Sequence, residues 1–287
     1  MSKTSCRERL PAHLVDGPVR AALEEDLGLA GDITTRAIIS NDEKANAAIT
    51  ARAQGCIAGL QCAETAFRLI DAAVRFETLI HDGEEVKPGD TIARVSGQAA
   101  ALLTGERVAL NFLCHLSGVA SLTQAYVKAV EGTGAHICCT RKTTPGLRAL
   151  EKYAVRAGGG QNHRFGLYDA VLIKDNHIAA AGGIGPAVSR ARDHTGHMIK
   201  IEVEIDTLEQ LDEALALPVD AVLLDNMSIG ELTKAVSRAK GKVVTEASGG
   251  VSLENVREIA ETGLDLISVG ALTHSPKALD LGLDFLP

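Results

Sequence analysis

The stretch KIEVEIDTLEQLDEALALPVDAVLLDN, residues 200–226, contains one complete unit of the pattern that decides the fold. An apolar run over 200–205 is followed by a helical pattern, and a second apolar run covers 221–224. Thr207 and Gln210 have the spacing of a capping box, in which the two residues satisfy each other's backbone N–H groups at a helix start. The stretch therefore predicts a strand, a crossover helix and a second strand parallel to the first.

The same strand-then-helix order repeats through the second half of the chain. The predicted strands cover 135–139, 170–173, 200–205, 221–224, 243–245 and 266–269. A complete eight-unit barrel needs about 250 residues, and only roughly 150 are available here. We therefore predict the α/β class, with an open six-stranded α/β barrel over residues 116–272.

Residues 1–115 mix helical and strand periods, which predicts a separate layer of helices and strands. The expected elements are an acidic helix near 18–27, a strand near 47–53, a helix over 60–72, an alternating strand over 74–80 and a hairpin over 83–95. The hairpin is predicted from the turn residues Lys87-Pro88-Gly89-Asp90. We expect the tail, residues 273–287, to fold back on this first domain.

Acidic residues outnumber basic ones in the whole chain, 37 to 29, so no global positive field attracts nucleic acid or anionic lipid. Residues 141–174 reverse this balance, with seven Lys or Arg against two acids. A solvated helix face accounts for Arg148, Lys152 and Arg156, which follow i, i+4, i+8 spacing. It does not account for Arg164 or Lys174, so we predict a local site for a polyanionic substrate.

We predict a cytoplasmic protein whose mature form starts at residue 1. The first 25 residues contain no continuous apolar stretch, and the uncharged span 108–127 is too polar for a bilayer, so we predict a buried helix there. The cysteines show no C-x-x-C spacing, which favours reduced core thiols over disulfides or zinc. They are Cys6, Cys56, Cys62, Cys114, Cys138 and Cys139.

Polar or glycine-rich residues follow every predicted strand of the barrel. In parallel βα architectures the ligand site forms where the carboxyl ends of the strands meet. We therefore expect these residues to form the rim of one active site. In chain order they are Arg141 and Lys142; Lys174, Asp175, Asn176 and His177; Glu202 and Glu204; Asp225 and Asn226; Ser248, Gly249 and Gly250; and Gly270 and Ala271.

Glu204 and Asp225 end consecutive strands in apolar surroundings, where an unpaired carboxylate is costly. Two carboxylates together with substrate phosphates are a common site for Mg²⁺, and a buried Lys or Arg partner is the structural alternative. The sequence leaves both possibilities open, a Mg²⁺ site and a buried ion pair. Glu202 lies on the same strand face as Glu204 and is a second candidate, paired with the basic cluster.

Two glycine-containing turns predict a phosphate site. Ser248-Gly249-Gly250 precedes a helix that we expect Ser252 to cap, and Gly270-Ala271 leaves the next strand. Backbone N–H groups of both turns can point at one phosphate. Neither G-x-G-x-x-G nor G-x-x-x-x-G-K-[ST] occurs, which argues against dinucleotide and P-loop folds.

Four motifs together resemble the quinolinate phosphoribosyltransferase family. They are TRKTTPGLR at 140–148, KYAVR at 152–156, GGGQNHR at 158–164 and LIKDNH at 172–177. The resemblance extends to EDLG at 25–28, GDITT at 31–35, EVE at 202–204, LDN at 224–226 and SGG at 248–250. It therefore covers nearly the whole chain.

The resemblance implies an N-terminal α/β sandwich domain, an open six-stranded barrel and a homodimer. It also implies the reaction of quinolinate with phosphoribosyl diphosphate to give nicotinate mononucleotide, CO₂ and diphosphate, with Mg²⁺ as cofactor. By the same resemblance, the dicarboxylate pocket is lined by Arg141, His163, Arg164 and Lys174, with Arg107 reaching in from the partner subunit. Lys142 is implied near the diphosphate, Glu204 and Asp225 near the ribose and magnesium, and Ser248, Gly249, Gly250, Gly270 and His274 around the 5′-phosphate.

Three alternatives remain at this stage. One keeps the reaction class but uses nicotinate without decarboxylation; the density of basic residues favours a dicarboxylate, because one carboxylate would leave cations unpaired. Another is a class I aldolase in which Lys174 forms a Schiff base. The third is a regulatory protein that binds a phosphosugar without turning it over.

Overall fold

A computed structural model describes residues 9–40 and 42–287. Within these residues the helices are α1 (Ala12–Leu27), α2 (Ile33–Ile38), α3 (Leu60–Ile70), α4 (Ala99–Ala129), α5 (Arg148–Ala157), α6 (Asp175–Ala181), α7 (Ile184–His194), α8 (Leu208–Leu215), α9 (Ile229–Ala239), α10 (Val256–Glu261) and α11 (Ala271–His274). The strands are β1 (Lys44–Ala51), β2 (Gly55–Cys56), β3 (Arg75–Thr78), β4 (Glu85–Val86), β5 (Thr91–Gln98), β6 (His136–Cys138), β7 (Val171–Ile173), β8 (Ile201–Ile205), β9 (Ala221–Asp225), β10 (Val244–Ser248), β11 (Leu266–Ser268) and β12 (Leu281–Leu286).

The chain divides into two compact units. Unit one contains the described residues up to Gln124, with Thr143–Gly159 and Leu272–Pro287, and unit two contains Ala125–Lys142 and Gly160–Ala271. A compact unit need not fold independently, so the domain boundaries drawn from the sequence stay a prediction.

Unit one is built on an antiparallel sheet with the strand order β12-β1-β5-β3. The C-terminal strand β12 pairs with β1 from Asn46↔Leu286 to Ala51↔Leu281, so the tail folds back on the N-terminal sheet. Helix α4 contributes Ser117 and Ser121, whose hydroxyl oxygens accept the backbone N–H groups of Ala58 and Cys56. The helix predicted over 108–127 lies inside α4.

Two predictions for unit one are wrong. Helix α1 begins at Ala12 and not near Pro18, because Val15, Val19 and Leu23 form a buried stripe that continues across the proline. The hairpin over 83–95 does not form. The turn at Lys87–Asp90 is present, but β4 before it pairs with β2, and β5 after it pairs with β1 and β3.

Unit two contains the six-stranded parallel sheet, in the order β6-β11-β10-β9-β8-β7. Helices connect the strands; the capping box predicted at Thr207 and Gln210 forms, and a second one forms at Ser228. The end strands β6 and β7 do not pair with each other among the described residues, which leaves the barrel open. The predicted fold class, an open six-stranded α/β barrel with an N-terminal α/β domain, is confirmed.

The two faces of this sheet differ in chemistry because side chains alternate along each strand. One face carries Ile201, Val203, Ile205, Val222 and Leu224, all fully buried. The opposite face, called the inner face below, carries the polar residues, and the strand registers bring them side by side. They are Glu202, Glu204, Asp225, Glu246, Ser248 and Ser268.

Over residues 9–40 and 42–287, none of the helices has both the length and the apolar character needed to cross a membrane. The five described cysteines are free thiols, and four of them are buried: Cys56, Cys62, Cys138 and Cys139. The burial of these four agrees with the prediction that they are core residues. Cys6 lies outside the described residues.

Candidate active site

The inner face of the six-stranded sheet carries three buried glutamates. Glu202, Glu204 and Glu246 are each at most 9% exposed. Glu204 is level with Leu223 of β9, and Asp225 follows two residues later on the same face. Because charged groups are costly to bury without partners, each carboxylate must have a counterpart that explains its place.

His163 supplies the counterpart of Glu202. Its Nε2 lies 2.9 Å from Glu202 Oε2 and 3.6 Å from Glu246 Oε1. The backbone N–H of Arg164 donates to His163 Nδ1 at 2.8 Å. Glu202 was predicted to pair with the basic cluster; its partner in the structure is this histidine, which lies in the same stretch of sequence. Both ring nitrogens of His163 are therefore engaged inside the protein.

Glu246 was missed by the sequence analysis, which ended the strand at residue 245. It is 2% exposed, and the hydroxyl of Ser268 donates to its Oε1. Burial and the negative charge of Glu202 raise the pKa of Glu246 to about 7, against the lowering effects of His163 and Ser268. The signal in the sequence is the spacing of two between Glu246 and Ser248, which places both on the inner face.

Lys174 is the ion-pair partner of Glu204 in the structure. Its Nζ forms an ion pair with Glu204 Oε2, and the Lys174 side chain is 47% exposed while that of Glu204 is only 10% exposed. The backbone N–H of Lys174 donates to His177 Nδ1 at 2.9 Å, which fixes the start of α6. The ammonium group is thus held over the carboxyl ends of β7 and β8 and still faces solvent.

Two arginines form the strongest anion-binding feature of the site. The Nε atoms of Arg141 and Arg164 are buried and have no hydrogen-bond partner among the described residues. Arg164 Nη1 donates to the carbonyl of Ala170 at 2.9 Å. Burial and the nearby charge of Arg141 lower the pKa of Arg164, against the raising effects of Glu202 and Asp169. Two close guanidinium groups with unused N–H donors suit a ligand with more than one carboxylate or phosphate.

The turn after β10 approaches the end of β9 closely. Gly249 has φ +94°, and a Cβ there would lie 2.1 Å from Asn226 Oδ1. Asn226 itself has φ 52°, donates its backbone N–H to the Ser248 carbonyl at 2.9 Å, and donates its amide to Asp225 Oδ2 at 2.6 Å. Glycine is therefore required at residue 249 by both conformation and space.

Ser252 does not cap the following helix, contrary to the prediction. α10 begins only at Val256, with Asn255 at its N-cap position. The Asn255 side chain folds back on the turn, accepting from the Ser252 N–H and donating to the Gly250 carbonyl. Gly250, with φ +60°, has open space around it, and Gly270 directly precedes the short helix α11, which starts at Ala271.

The remaining predicted residues are placed as follows. Lys142 is exposed after β6, and its backbone N–H donates to Thr140 Oγ1. Arg107 and His274 belong to unit one, where both are exposed, on α4 and α11. The other predicted residues all belong to unit two. No described observation tests their individual roles, which stay predictions.

Comparison with known proteins decides the family. The model of the quinolinate phosphoribosyl transferase C-terminal domain matches residues 119–284, and that of the N-terminal domain matches residues 32–117. The chain belongs to the quinolinate phosphoribosyltransferase family. It is therefore an enzyme, a phosphoribosyltransferase, which decides against the aldolase and the non-enzymatic binding protein.

Individual members of the quinolinate phosphoribosyltransferase family are similar along nearly the whole chain. The probable nicotinate-nucleotide pyrophosphorylase [carboxylating] of Bacillus subtilis is 47% identical over 262 residues, covering 91% of this chain and 89% of its own. That of Mycobacterium leprae is 45% identical, covering 93% and 95%. The crystal structure of NadC from Streptococcus pyogenes superposes with a TM-score of 0.93 at 41% identity, covering 98% of this chain and all of that one.

Proposed function

We propose that this enzyme transfers the phosphoribosyl group of phosphoribosyl diphosphate to quinolinate, giving nicotinate mononucleotide, CO₂ and diphosphate. The observation that carries the proposal is the pair of buried guanidinium Nε atoms at Arg141 and Arg164 that lack partners. A ligand with two carboxylates would satisfy both. The names of the relatives support the same reaction.

The inner face supplies what this chemistry needs. The bond between C1 of the ribose and the diphosphate oxygen breaks, and the pyridine nitrogen forms its bond to the electron-poor C1. Carboxylates at Glu204 and Asp225 stabilise the positive charge that develops at C1. The ring, now cationic at nitrogen, takes up the electron pair left at C2 when CO₂ departs, and a proton from solvent replaces the CO₂. Catalysis therefore depends mainly on positioning.

Mg²⁺ is the proposed cofactor, held by Asp225 and Glu204 together with diphosphate oxygens. Carboxylate oxygens are the donors that this hard cation prefers, and both residues lie on the inner face of adjacent strands. The Lys174 ammonium engages Glu204 Oε2, so Glu204 Oε1 would be the oxygen to hold a metal or its water. When bound, the ion neutralises the diphosphate as it leaves.

The other predicted ligands receive their roles from the same proposal. Lys174, Arg164, Arg141 and His163 surround the dicarboxylate, and Lys142 meets the diphosphate. The turns Ser248-Gly249-Gly250 and Gly270-Ala271, with His274, hold the 5′-phosphate. The strong requirement for glycine at residue 249 supports a turn built for close backbone approach.

We also propose a cytoplasmic homodimer in which Arg107 of each subunit enters the site of its partner. Co-expression of Arg107→Ala chains with Lys142→Ala chains tests this. Each homodimer should be inactive, whereas mixed dimers should regain activity, because one of their two sites contains both wild-type residues. Mixed dimers as inactive as their parents would exclude a shared site.

One assay separates quinolinate from nicotinate as the substrate. Purified protein is incubated with phosphoribosyl diphosphate, Mg²⁺ and either acid, and released CO₂ and diphosphate are measured. Equal amounts of CO₂ and diphosphate from quinolinate, with little diphosphate from nicotinate, are expected. Diphosphate release from nicotinate at an equal or higher rate would refute the proposal, and omission of Mg²⁺ with a chelator tests the cofactor.

A further inference from the structure

The loop over residues 164–170, called the Arg164 loop below, is closed by the side chain of Asp169. The Oδ2 atom of Asp169 accepts the backbone N–H of Phe165 at 2.7 Å, and Oδ1 accepts that of Gly166 at 2.9 Å. Three apolar side chains of this loop are at least 40% exposed: Phe165, Leu167 and Tyr168. Because these side chains give the loop little apolar anchoring, its shape depends on the hydrogen bonds of its backbone.

Hydrogen bonds on both sides of Arg164 orient its backbone. The Arg164 N–H donates to His163 Nδ1 at 2.8 Å, which fixes the peptide plane before the Arg164 Cα atom. The Phe165 N–H, held by Asp169, fixes the peptide plane after it. Each residue has only two soft backbone dihedral angles, so fixing both planes sets the direction in which the Arg164 side chain leaves the backbone. His163 provides the first of these constraints and Asp169 the second.

The far end of the Arg164 side chain has an anchor of its own. Nη1 donates to the Ala170 carbonyl at 2.9 Å, and the N–H of Val171 donates to the Lys200 carbonyl at 2.9 Å, which ties this end of the loop to the sheet. The Nε atom of Arg164 is buried and has no hydrogen-bond partner among the described residues. The guanidinium is thus held at one nitrogen, while another keeps a donor that a bound anion can satisfy.

The charge of Asp169 acts on the same guanidinium. Burial and the nearby charge of Arg141 lower the pKa of Arg164, whereas Glu202 and Asp169 raise it. Asp169 therefore offsets part of the repulsion between the two arginines. Because both of its oxygens accept N–H groups of the loop, Asp169 makes two contributions, hydrogen bonding and charge, which substitutions can separate.

We propose that Asp169 is a positioning residue: by accepting the Phe165 N–H it fixes the peptide plane after Arg164, so that the guanidinium stays anchored at the Ala170 carbonyl and presents its Nε–H to the anionic substrate. Asp169 acts through Arg164 and does not contact substrate. The effect on catalysis rests on the proposed function, whereas the closure of the loop does not.

Hydrogen exchange of the substrate-free enzyme tests the closure of the loop. The Phe165 and Gly166 amides are followed by mass spectrometry with fragmentation that resolves single residues. Both should be protected in the wild type and exchange faster in Asp169→Ala. Asp169→Asn should keep the shorter of the two bonds, to Phe165, and lose protection at Gly166, which gives the same test if the alanine variant does not fold. Equal exchange of both amides in the wild type and in both variants would refute the closure.

Kinetics test the link to the substrate. In Asp169→Ala the KM for quinolinate should rise about tenfold, while the KM for phosphoribosyl diphosphate changes less than about twofold. Asp169→Asn, which removes the charge but keeps the Phe165 bond, should stay within about threefold of the wild type. Asp193→Ala and Asp193→Asn, at an exposed position of α7, are the matched controls. A KM that rises as much in Asp169→Asn as in Asp169→Ala, with Phe165 still protected, would assign the effect to charge and overturn the proposal.

A double-mutant cycle shows whether Asp169 acts through Arg164. In an Arg164→Gln background, Asp169→Ala should change the quinolinate KM less than about twofold, because the side chain that Asp169 positions is already gone. A further tenfold rise in this background would contradict the proposal. If the exchange results are as expected but the wild type does not turn over quinolinate, the proposed function fails and the inference about the loop stands.

Discussion

Replacing Gly249 by alanine should damage the turn Ser248-Gly249-Gly250, which we propose binds the 5′-phosphate, far more than the same change at Gly250. Both glycines have positive φ, so alanine at either position costs about 1–2 kcal/mol in backbone strain. At Gly250 nothing lies within 4 Å of the new Cβ, whereas at Gly249 it would lie 2.1 Å from Asn226 Oδ1 and 3.0 Å from the Asn226 backbone nitrogen.

The clash adds a second cost at Gly249. The Asn226 side chain must move, which breaks its 2.6 Å hydrogen bond to Asp225 and is worth about another 1–2 kcal/mol. We expect Gly249→Ala to lose about 2–4 kcal/mol of stability in all, against about 1–2 kcal/mol for Gly250→Ala. Because Asp225 is displaced with Asn226, the KM for phosphoribosyl diphosphate should also rise.

The assay is urea unfolding followed by circular dichroism, with KM values measured in parallel. A third variant isolates the side-chain clash: in an Asn226→Gly background, Gly249→Ala should cost less than in the wild type, because only the 3.0 Å contact with the backbone nitrogen of residue 226 remains and glycine accepts the φ of 52° there. Equal unfolding midpoints for Gly249→Ala and Gly250→Ala in the wild-type background would refute the reasoning.

Two further predictions concern charged side chains of unit two. Arg164→Gln should raise the KM for quinolinate by about tenfold or more and change the KM for phosphoribosyl diphosphate much less. Arg190→Gln, at an exposed position of α7, is the control. Equal effects on both substrates would count against a dicarboxylate site at Arg164. At Asp220, burial raises the pKa, but hydrogen bonds from Lys200, the Ile201 N–H and Arg192 outweigh it and hold the pKa at about 2. A lowered carboxyl pKa stabilises the fold above the ordinary value of 3.8, and this stabilisation is lost as the pH falls through about 2. Asp220→Asn should therefore cost about 1–2 kcal/mol at pH 7, allowing for solvent screening, and progressively less in acid; a cost that does not depend on pH would contradict the assignment.

The barrel was predictable because its signals are local and repeated. The strands of unit two are short and carry apolar residues on at least one face, and capping boxes such as that at Thr207 mark the helix starts. The errors arose where a local signal was satisfied in a different tertiary context. The turn at Lys87–Asp90 forms as predicted, yet its flanking strands find partners far away in the sequence, and turn residues carry no information about that choice.

The charged residues of the proposed site were predicted, but the buried residues that pair with them on the inner face were not. Arg164, Lys174 and Glu204 lie at strand ends or in basic motifs, where charge is visible in the sequence. Glu246 and Ser268 lie within strands, and only the register of β9, β10 and β11 shows that they face the same side as Glu202.

The alternation of side chains along each strand explains why Glu202 has buried polar neighbours on the inner face. An inner face that carries cations and carboxylates cannot be filled between them with apolar side chains alone, because buried charges such as Glu202 need hydrogen-bond partners beside them. His163, Glu246 and Ser268 provide these partners one after another. This chain of polar contacts ends at the Ser268 hydroxyl, which can both donate and accept a hydrogen bond. Removing a member of this chain therefore leaves a buried polar group unpaired. For this reason we expect the inner face to tolerate neutral, hydrogen-bonding replacements such as Glu246→Gln much better than apolar ones.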